Sequence, residues 1–182
     1  GTARFLSPAD LPHTKVEATF SLPAADDPAR DDAWLLFDCL DRENGKFFGL
    51  YDAGRKLVMG VLEAGRPRIV KSMPWQAVAD STAPVRLGVD LTDGIAVGRV
   101  DGKPLLFVNF DRGLGAARFG ALTHGRASLH AMAAWRGAEE VHRMKLGEGG
   151  IMSLRRGEHT IVVELLPGGA ALDAILVKEV SP

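Results

Sequence analysis

At 182 residues the chain is long enough to bury a substantial core, and one domain over 1–182 is expected. Its 22 Lys and Arg nearly cancel its 23 Asp and Glu, and no basic block breaks the mixture, which argues against nucleic acid as a partner. The single cysteine, Cys39, rules out an internal disulfide and a cysteine-built zinc site. The longest apolar runs, such as Trp34 to Phe37 and Pro104 to Val108, fall far short of the roughly 20 residues a membrane-crossing helix needs. The opening Gly1-Thr2-Ala3-Arg4-Phe5 has none of the features of a signal peptide.

Along the chain, apolar residues recur mostly at every second position, in short runs broken by Gly, Asp, Asn and Pro. In Lys15 to Leu22, the residues Val16, Ala18, Phe20 and Leu22 point one way while Glu17, Thr19 and Ser21 point the other, the mark of a half-buried strand. Trp34 to Leu40 is apolar on both faces apart from Asp38, which predicts a central strand with core on one side and a further cover on the other. Asn44-Gly45 then suits a tight hairpin turn into Phe47–Asp52. Ala53-Gly54 and Ala64-Gly65 mark further turns, and Met73 to Pro84 reads as a long connection, a lid or a crossover, carrying Trp75.

Beyond it, Val85, Leu87, Val89 and Leu91 alternate again, and Asp93-Gly94 and Asp101-Gly102 bracket Ile95–Val100 before Leu105–Phe110. His124-Gly125 and Gly168-Gly169 complete a rhythm of about one turn every ten residues, so about eleven or twelve strands are expected. Gly137 to Gly150 breaks it, with Glu139, Glu140, Val141 and Met144 at spacings that allow one or two helical turns. The fold predicted is all-β: a two-sheet antiparallel sandwich of the jelly-roll kind, with at most one or two short helices.

Between about Lys15 and Trp135 the order of features resembles the concanavalin A-like and laminin G-like superfamily of jelly rolls, the lectin and glucanase type. Three pieces carry it: Val16-Glu17-Ala18-Thr19-Phe20; Leu35-Leu36-Phe37 leading through Asp41-Arg42-Glu43-Asn44 to Phe47-Phe48-Gly49-Leu50; and Val97-Gly98-Arg99-Val100-Asp101-Gly102-Lys103. Phe119 to Thr123 and Ala127-Ser128-Leu129 resemble the strand and turn that follow, and Ala171 to Val177 is similar to the closing strand of laminarinase-type hydrolases. The resemblance implies an exported bacterial protein, extracellular or periplasmic, that binds a polysaccharide or oligosaccharide. It also implies a structural Ca²⁺ with Asp173 as ligand and Asp10 or Glu17 as its distant partner.

Catalytic chemistry leaves few traces. Retaining glycosidases hold two carboxylates about 5 Å apart, and the Glu-x-Asp-x-x-Glu run that does this in the laminarinase-like branch is absent. Glu139-Glu140 diverge on a strand or a helix and read as a solvated face, as do Asp26-Asp27 and Asp31-Asp32. The motifs Gly-x-Ser-x-Gly, Gly-x-x-x-x-Gly-Lys, Gly-x-Gly-x-x-Gly and His-Glu-x-x-His are missing too. His124 and His130 lie across a turn without a third metal ligand, and Cys39, alternating with Leu35 and Phe37, reads as a core hydrophobe.

Sugar recognition needs aromatic faces and directional polar groups. Trp75, in its proline-bounded loop, and the single Tyr51 are the candidate stacking rings, although capping a sheet edge or packing into a crevice is the preferred reading of Trp75. Asp38 is a carboxyl among apolar neighbours, either a ligand contact or an internally satisfied sheet residue. Arg99 and His130 interrupt apolar strands and are expected to share an outer face, whereas Trp34 and Trp135 read as core. The leading expectation is a non-catalytic carbohydrate-binding or accessory module. A divergent glycoside hydrolase or lyase using Asp38, and a structural domain binding a protein or another copy of itself, are the alternatives.

Overall fold

The computed structural model describes residues 2–7, 12–22, 31–75, 83–110, 114–115, 117–146 and 152–153. In chain order the strands are β1 (Thr2–Leu6), β2 (Lys15–Ser21), β3 (Asp32–Cys39), β4 (Gly45–Tyr51), β5 (Lys56–Glu63), β6 (Arg66–Pro74) and β7 (Val85–Thr92). They continue with β8 (Ile95–Val100), β9 (Lys103–Asn109), β10 (Arg118–His124), β11 (Ser128–Arg136), β12 (Glu139–Leu146) and the two-residue β13 (Met152–Ser153). These form a six-stranded sheet, β1-β10-β3-β4-β5-β6, and a seven-stranded sheet, β13-β12-β11-β2-β7-β8-β9. Every pairing among the described residues is antiparallel. The architecture is the all-β sandwich that the alternation predicts.

Period-two burial builds the interior. In β2 the residues Val16, Ala18 and Phe20 are buried while their neighbours are half-buried, and in β7 Leu87, Val89 and Leu91 are buried while Arg86 and Thr92 are exposed and Asp90 is half-buried. They meet Ala33, Leu35, Phe37, Phe48, Leu50, Leu57, Met59 and Phe119 from the six-stranded sheet in one cluster. Each large side chain so buried contributes about 1.5–3 kcal/mol. The two sheets touch closely where Gly98 of β8 lies under the Phe48 ring of β4: a Cβ there would sit 2.6–2.9 Å from three ring carbons.

A second cluster lies on the other face of the six-stranded sheet: Trp34, Leu36, Cys39, Phe47, Val58, Leu62 and Leu122, with Leu6 and Tyr51 beside them. Strand β3 is therefore buried on both faces, as its unbroken apolar run predicts. Cys39 joins this outer cluster rather than the interior shared by Leu35 and Phe37, which corrects the simple alternation. The reason is a bulge: Asp38 has φ 49°, the β3–β10 register shifts there, and the side chains beyond it change face.

Turn chemistry follows the sequence at most corners. Asp101-Gly102, Asp93-Gly94 and Ala64-Gly65 are two-residue turns with both φ positive, between 46° and 83°. Asn44-Gly45 is different, because β4 already begins at Gly45 and the connection is the five residues 40–44. Asp41 closes it, accepting bonds from the backbone N–H of Glu43 (2.7 Å) and Asn44 (2.8 Å) and from the Asn44 amide. The Asn44 amide is the main cause holding the Asp41 carboxyl below its ordinary 3.8, with those backbone bonds adding to it. Gly45 is needed for space, since a Cβ would lie 2.6 Å from the Cys39 sulfur.

Two further expectations change. The stretch read as helical turns is β12, which pairs with β11 across a turn at Gly137 (φ 60°), where Arg136 and Glu139 form an ion pair at 3.1 Å. Strand β11 needs a neighbour on that side, and ladder pairing outweighs weak helical spacing. Asp31 and Asp32 are not solvated either: they are 2% and 0% exposed. Asp31 accepts bonds from the backbone N–H (2.7 Å) and guanidinium (2.9 Å) of Arg126, and Asp32 from the N–H of Asp52 (2.9 Å). Each carboxylate ties a different turn to the start of β3. The Met73–Pro84 connection is the crossover from β6 in one sheet to β7 in the other. Gly168-Gly169 and Asp26-Asp27 lie outside the described residues.

Candidate functional site

The two outer faces of the sandwich differ in chemistry. That of the six-stranded sheet is closed, with Trp34, Leu36, Phe47, Val58 and Leu122 at 2% exposure or less. Trp34 stacks on Phe47 at 4.7 Å and on Tyr51 at 6.4 Å, and the His124 ring meets it edge-on at 5.3 Å.

The outer face of the seven-stranded sheet is polar. Because Val16, Leu87, Val89, Ala96, Leu106 and Met132 face inward, the intervening residues face out, and the strand registers align them into rows. One row runs Phe107, Val97, Asp90, Lys15, Trp135 across β9, β8, β7, β2 and β11. The next holds Arg99, Gly88, Glu17 and Ala133.

Within these rows the charges pair off. Arg99 Nε donates to Asp90, and its Nη1 donates to the Gly102 carbonyl at 3.1 Å. Lys15 Nζ meets Glu17 at 2.7 Å and lies 4.6 Å from the centre of the Trp135 ring. Gly88 floors the space between them, and a Cβ there would stand 3.3 Å from Glu17 Cγ and 3.8 Å from Arg99 Cβ. The outcome is a shallow patch with carboxylate acceptors, guanidinium and ammonium donors, and one half-buried indole. Exposed pairs of this kind are worth about 0–1 kcal/mol, so their groups can exchange partners with a ligand at little cost. Further along β2 and β11, Ser21 Oγ and His130 Nε2 share a hydrogen bond of 2.7 Å.

The five binding candidates are not brought together. Arg99 and His130 share this outer face as expected, but β7 and β2 separate them, about 14 Å at normal strand spacing. Asp38 sits at the β3 bulge in the other sheet, where its carboxylate pairs with Lys46. The Lys46 ammonium also lies 5.5 Å from the Phe110 ring, so Asp38 is a satisfied sheet residue. Tyr51 packs on the outer cluster of the six-stranded sheet. Trp75 is partly buried against the interior, its backbone N–H bonded to the Arg55 carbonyl at 2.8 Å, and it caps the end of β6. Asp173 and Asp10 lie outside the described residues, and Glu17 is engaged by Lys15.

Sequence reasoning missed Lys15, Asp90 and Trp135. Trp135 was expected in the core but is half-buried on the outward face. Its parity against Met132 and Ala134 holds the signal, which becomes readable only once the inward residues of β11 are known. Glu139 is exposed beside Arg136, as a solvated face predicts.

No family model and no curated protein matches the chain in sequence. Solved structures do match in shape. The carbohydrate binding module CBM66 from Bacillus subtilis aligns with TM-score 0.57 and 16% identity over 71% of this chain and 78% of that one. Sheep galectin-11, in complex with glycerol, aligns with TM-score 0.53 and 14% identity over 70% of this chain and 94% of its own. A tetrameric galectin from the ball sponge Cinachyrella sp. gives 0.53 and 12% identity, with 75% and 100% covered. Shared shape at such identities speaks for architecture alone: the chain has the two-sheet antiparallel jelly-roll fold that this module and these galectins share.

Proposed function

We propose that the chain is a non-catalytic carbohydrate-binding module of an exported protein, and that its polysaccharide or oligosaccharide ligand lies on the outer face of the seven-stranded sheet. The observation that carries this reading is the patch around Gly88, where Asp90, Arg99, Lys15 and Glu17 surround a backbone floor next to Trp135. Sugar hydroxyls are both donors and acceptors, so paired carboxylates and cations at hydrogen-bond spacing suit them, and the face of an indole suits the apolar face of a pyranose. The resemblance in fold to a carbohydrate binding module and to galectins supports the same reading. Asp38, on which a hydrolytic reading depends, is on the other sheet and committed to Lys46.

A glycan array followed by calorimetric titration tests it. Binding of at least one glycan is expected, weakened tenfold or more by Trp135→Ala and by Arg99→Ala, each with an unchanged urea midpoint. Absence of binding across the array, or binding that both variants leave intact, would reject the proposal.

A further inference from the structure

One long side of the sandwich carries a surface that adjoins the Phe107 end of the row described above and extends beyond the patch around Gly88. Among the described residues strand β6 ends the six-stranded sheet and β9 ends the seven-stranded one, and the two lie together: Lys71 Nζ of β6 donates to the Phe107 carbonyl of β9 at 3.3 Å and stands 3.8 Å from its ring centre. Large apolar side chains concentrate here. Ile69 (41% exposed) and the bulged Val70 (45%) lie on β6, Ile69 on the outer face of the six-stranded sheet, while Phe107 (63%) on β9 and its diagonal neighbour Ile95 (41%) on β8 flank the same side from the outer face of the other sheet. The remaining exposed large hydrophobic among the described residues, Leu40, is in the β3–β4 loop. A long edge strand with exposed apolar residues is a template for another chain.

The backbone offers a specific point of attachment. Ala64-Gly65 is a two-residue turn, so its flanking pair Glu63–Arg66 is hydrogen-bonded and the pairs alternate from there. Pro67 and Ile69 then direct their backbone groups away from β5. Pro67 has no N–H, which leaves Ile69 to present both N–H and C=O outward.

Charge decides what fits. β6 and β9 carry Arg66, Arg68, Lys71 and Lys103 and no carboxylate, in a chain whose net charge is −1; Arg68 is paired with Glu63 of β5 at 2.8 Å, which leaves Arg66, Lys71 and Lys103 as the cations for an incoming segment. Two copies joined along β6 with Ile69 facing Ile69 or Val70 would place Arg68 and Lys71 within one residue of each other across the joint, and like charges facing across strands oppose pairing. We propose that this edge docks an extended segment of another protein in which acidic and apolar residues alternate, joined by backbone bonds at Ile69, with its apolar side chains on Ile69 and the bulged Val70 and its carboxylates on the cations.

The probe is a fluorescein-labelled peptide of four Glu-Val repeats with both ends blocked, titrated against the full chain by anisotropy. Saturable binding is expected, reduced tenfold or more by Arg66→Glu combined with Lys103→Glu, and by Ile69→Pro, which removes the outward N–H. Unchanged urea midpoints show that these variants fold. A Lys-Val peptide of the same length should not bind. The proposal is overturned if the Glu-Val peptide does not bind or if the Lys-Val peptide binds equally. It fails likewise if poly-glutamate competes as tightly as Glu-Val, which marks plain electrostatic attraction. A dimer in light scattering that Ile69→Asp abolishes would identify a second copy as the occupant instead.

Discussion

Replacing Gly98 by alanine tests whether the sheets are as closely apposed as the Phe48 contact indicates. The added Cβ would stand 2.6, 2.7 and 2.9 Å from three carbons of a ring that is 0% exposed. Ordinary contact between such carbons is about 3.5–4.0 Å, so one partner must retreat by about 1 Å into a filled interior. Overpacking of this degree costs about 1–3 kcal/mol, and the full burial of the ring favours the upper end. At about 2–4 °C per kcal/mol for a chain of this length, the melting temperature should fall by about 6–12 °C. Urea unfolding, with midpoint shift at constant slope, gives the free energy directly.

The decisive comparison is the double variant. Phe48→Leu alone removes apolar contact worth about 1–2 kcal/mol. If the ring is what the new methyl strikes, Gly98→Ala together with Phe48→Leu should cost little more than Phe48→Leu alone, a coupling of about 2 kcal/mol. Losses that simply add would refute the reasoning, because Gly98 would then be required for something other than the Phe48 ring.

Asp31→Ala should lower stability by about 2–3 kcal/mol, seen as a melting point about 5–10 °C lower. Most of this loss comes from the stranded backbone N–H of Arg126, since its side chain is 47% exposed and recovers water. A change under 0.5 kcal/mol would show the buried carboxylate to be dispensable. Burial pushes the Cys39 thiol up to about 12 from 9.0, against an opposing backbone bond from Lys46. Its folded value exceeds its unfolded one, so the stabilisation is complete below 9.0 and is lost as pH rises from there toward 12. The native protein should leave a disulfide reagent unreacted at neutral pH until urea unfolds it, and its urea midpoint should fall in alkali; rapid reaction in the folded state would contradict the burial.

Much of the architecture was legible because one physical signal repeats through the chain. Alternation in β2 and β7 fixed their buried faces, and the double-sided run of β3 announced a second apolar cluster. What escaped depended on contacts distant in sequence. Nothing local says that Asp31 will meet Arg126 across the β10–β11 turn, and two adjacent aspartates ordinarily signal a solvated loop. The bulge at Asp38 moved Cys39 to the other face, which strict alternation cannot foresee. Binding residues were the least legible: Lys15, Asp90 and Trp135 form a row only through the pairing of β7, β2 and β11, and a residue's place in such a row is set by strand register rather than by its neighbours in the chain.

Strand β3 has one more consequence. In most strands a slip of one residue would drive polar side chains into the interior, and this penalty keeps the pairing in frame. In β3 the exchange would swap Trp34 and Leu36 for Leu35 and Phe37, apolar for apolar, so hydrophobicity alone guards its alignment weakly. Its two ends supply the guard: Asp32 bonded to the Asp52 amide at one, and the bulged Asp38 paired with Lys46 at the other. Two aspartates in an otherwise greasy strand act as its alignment pins.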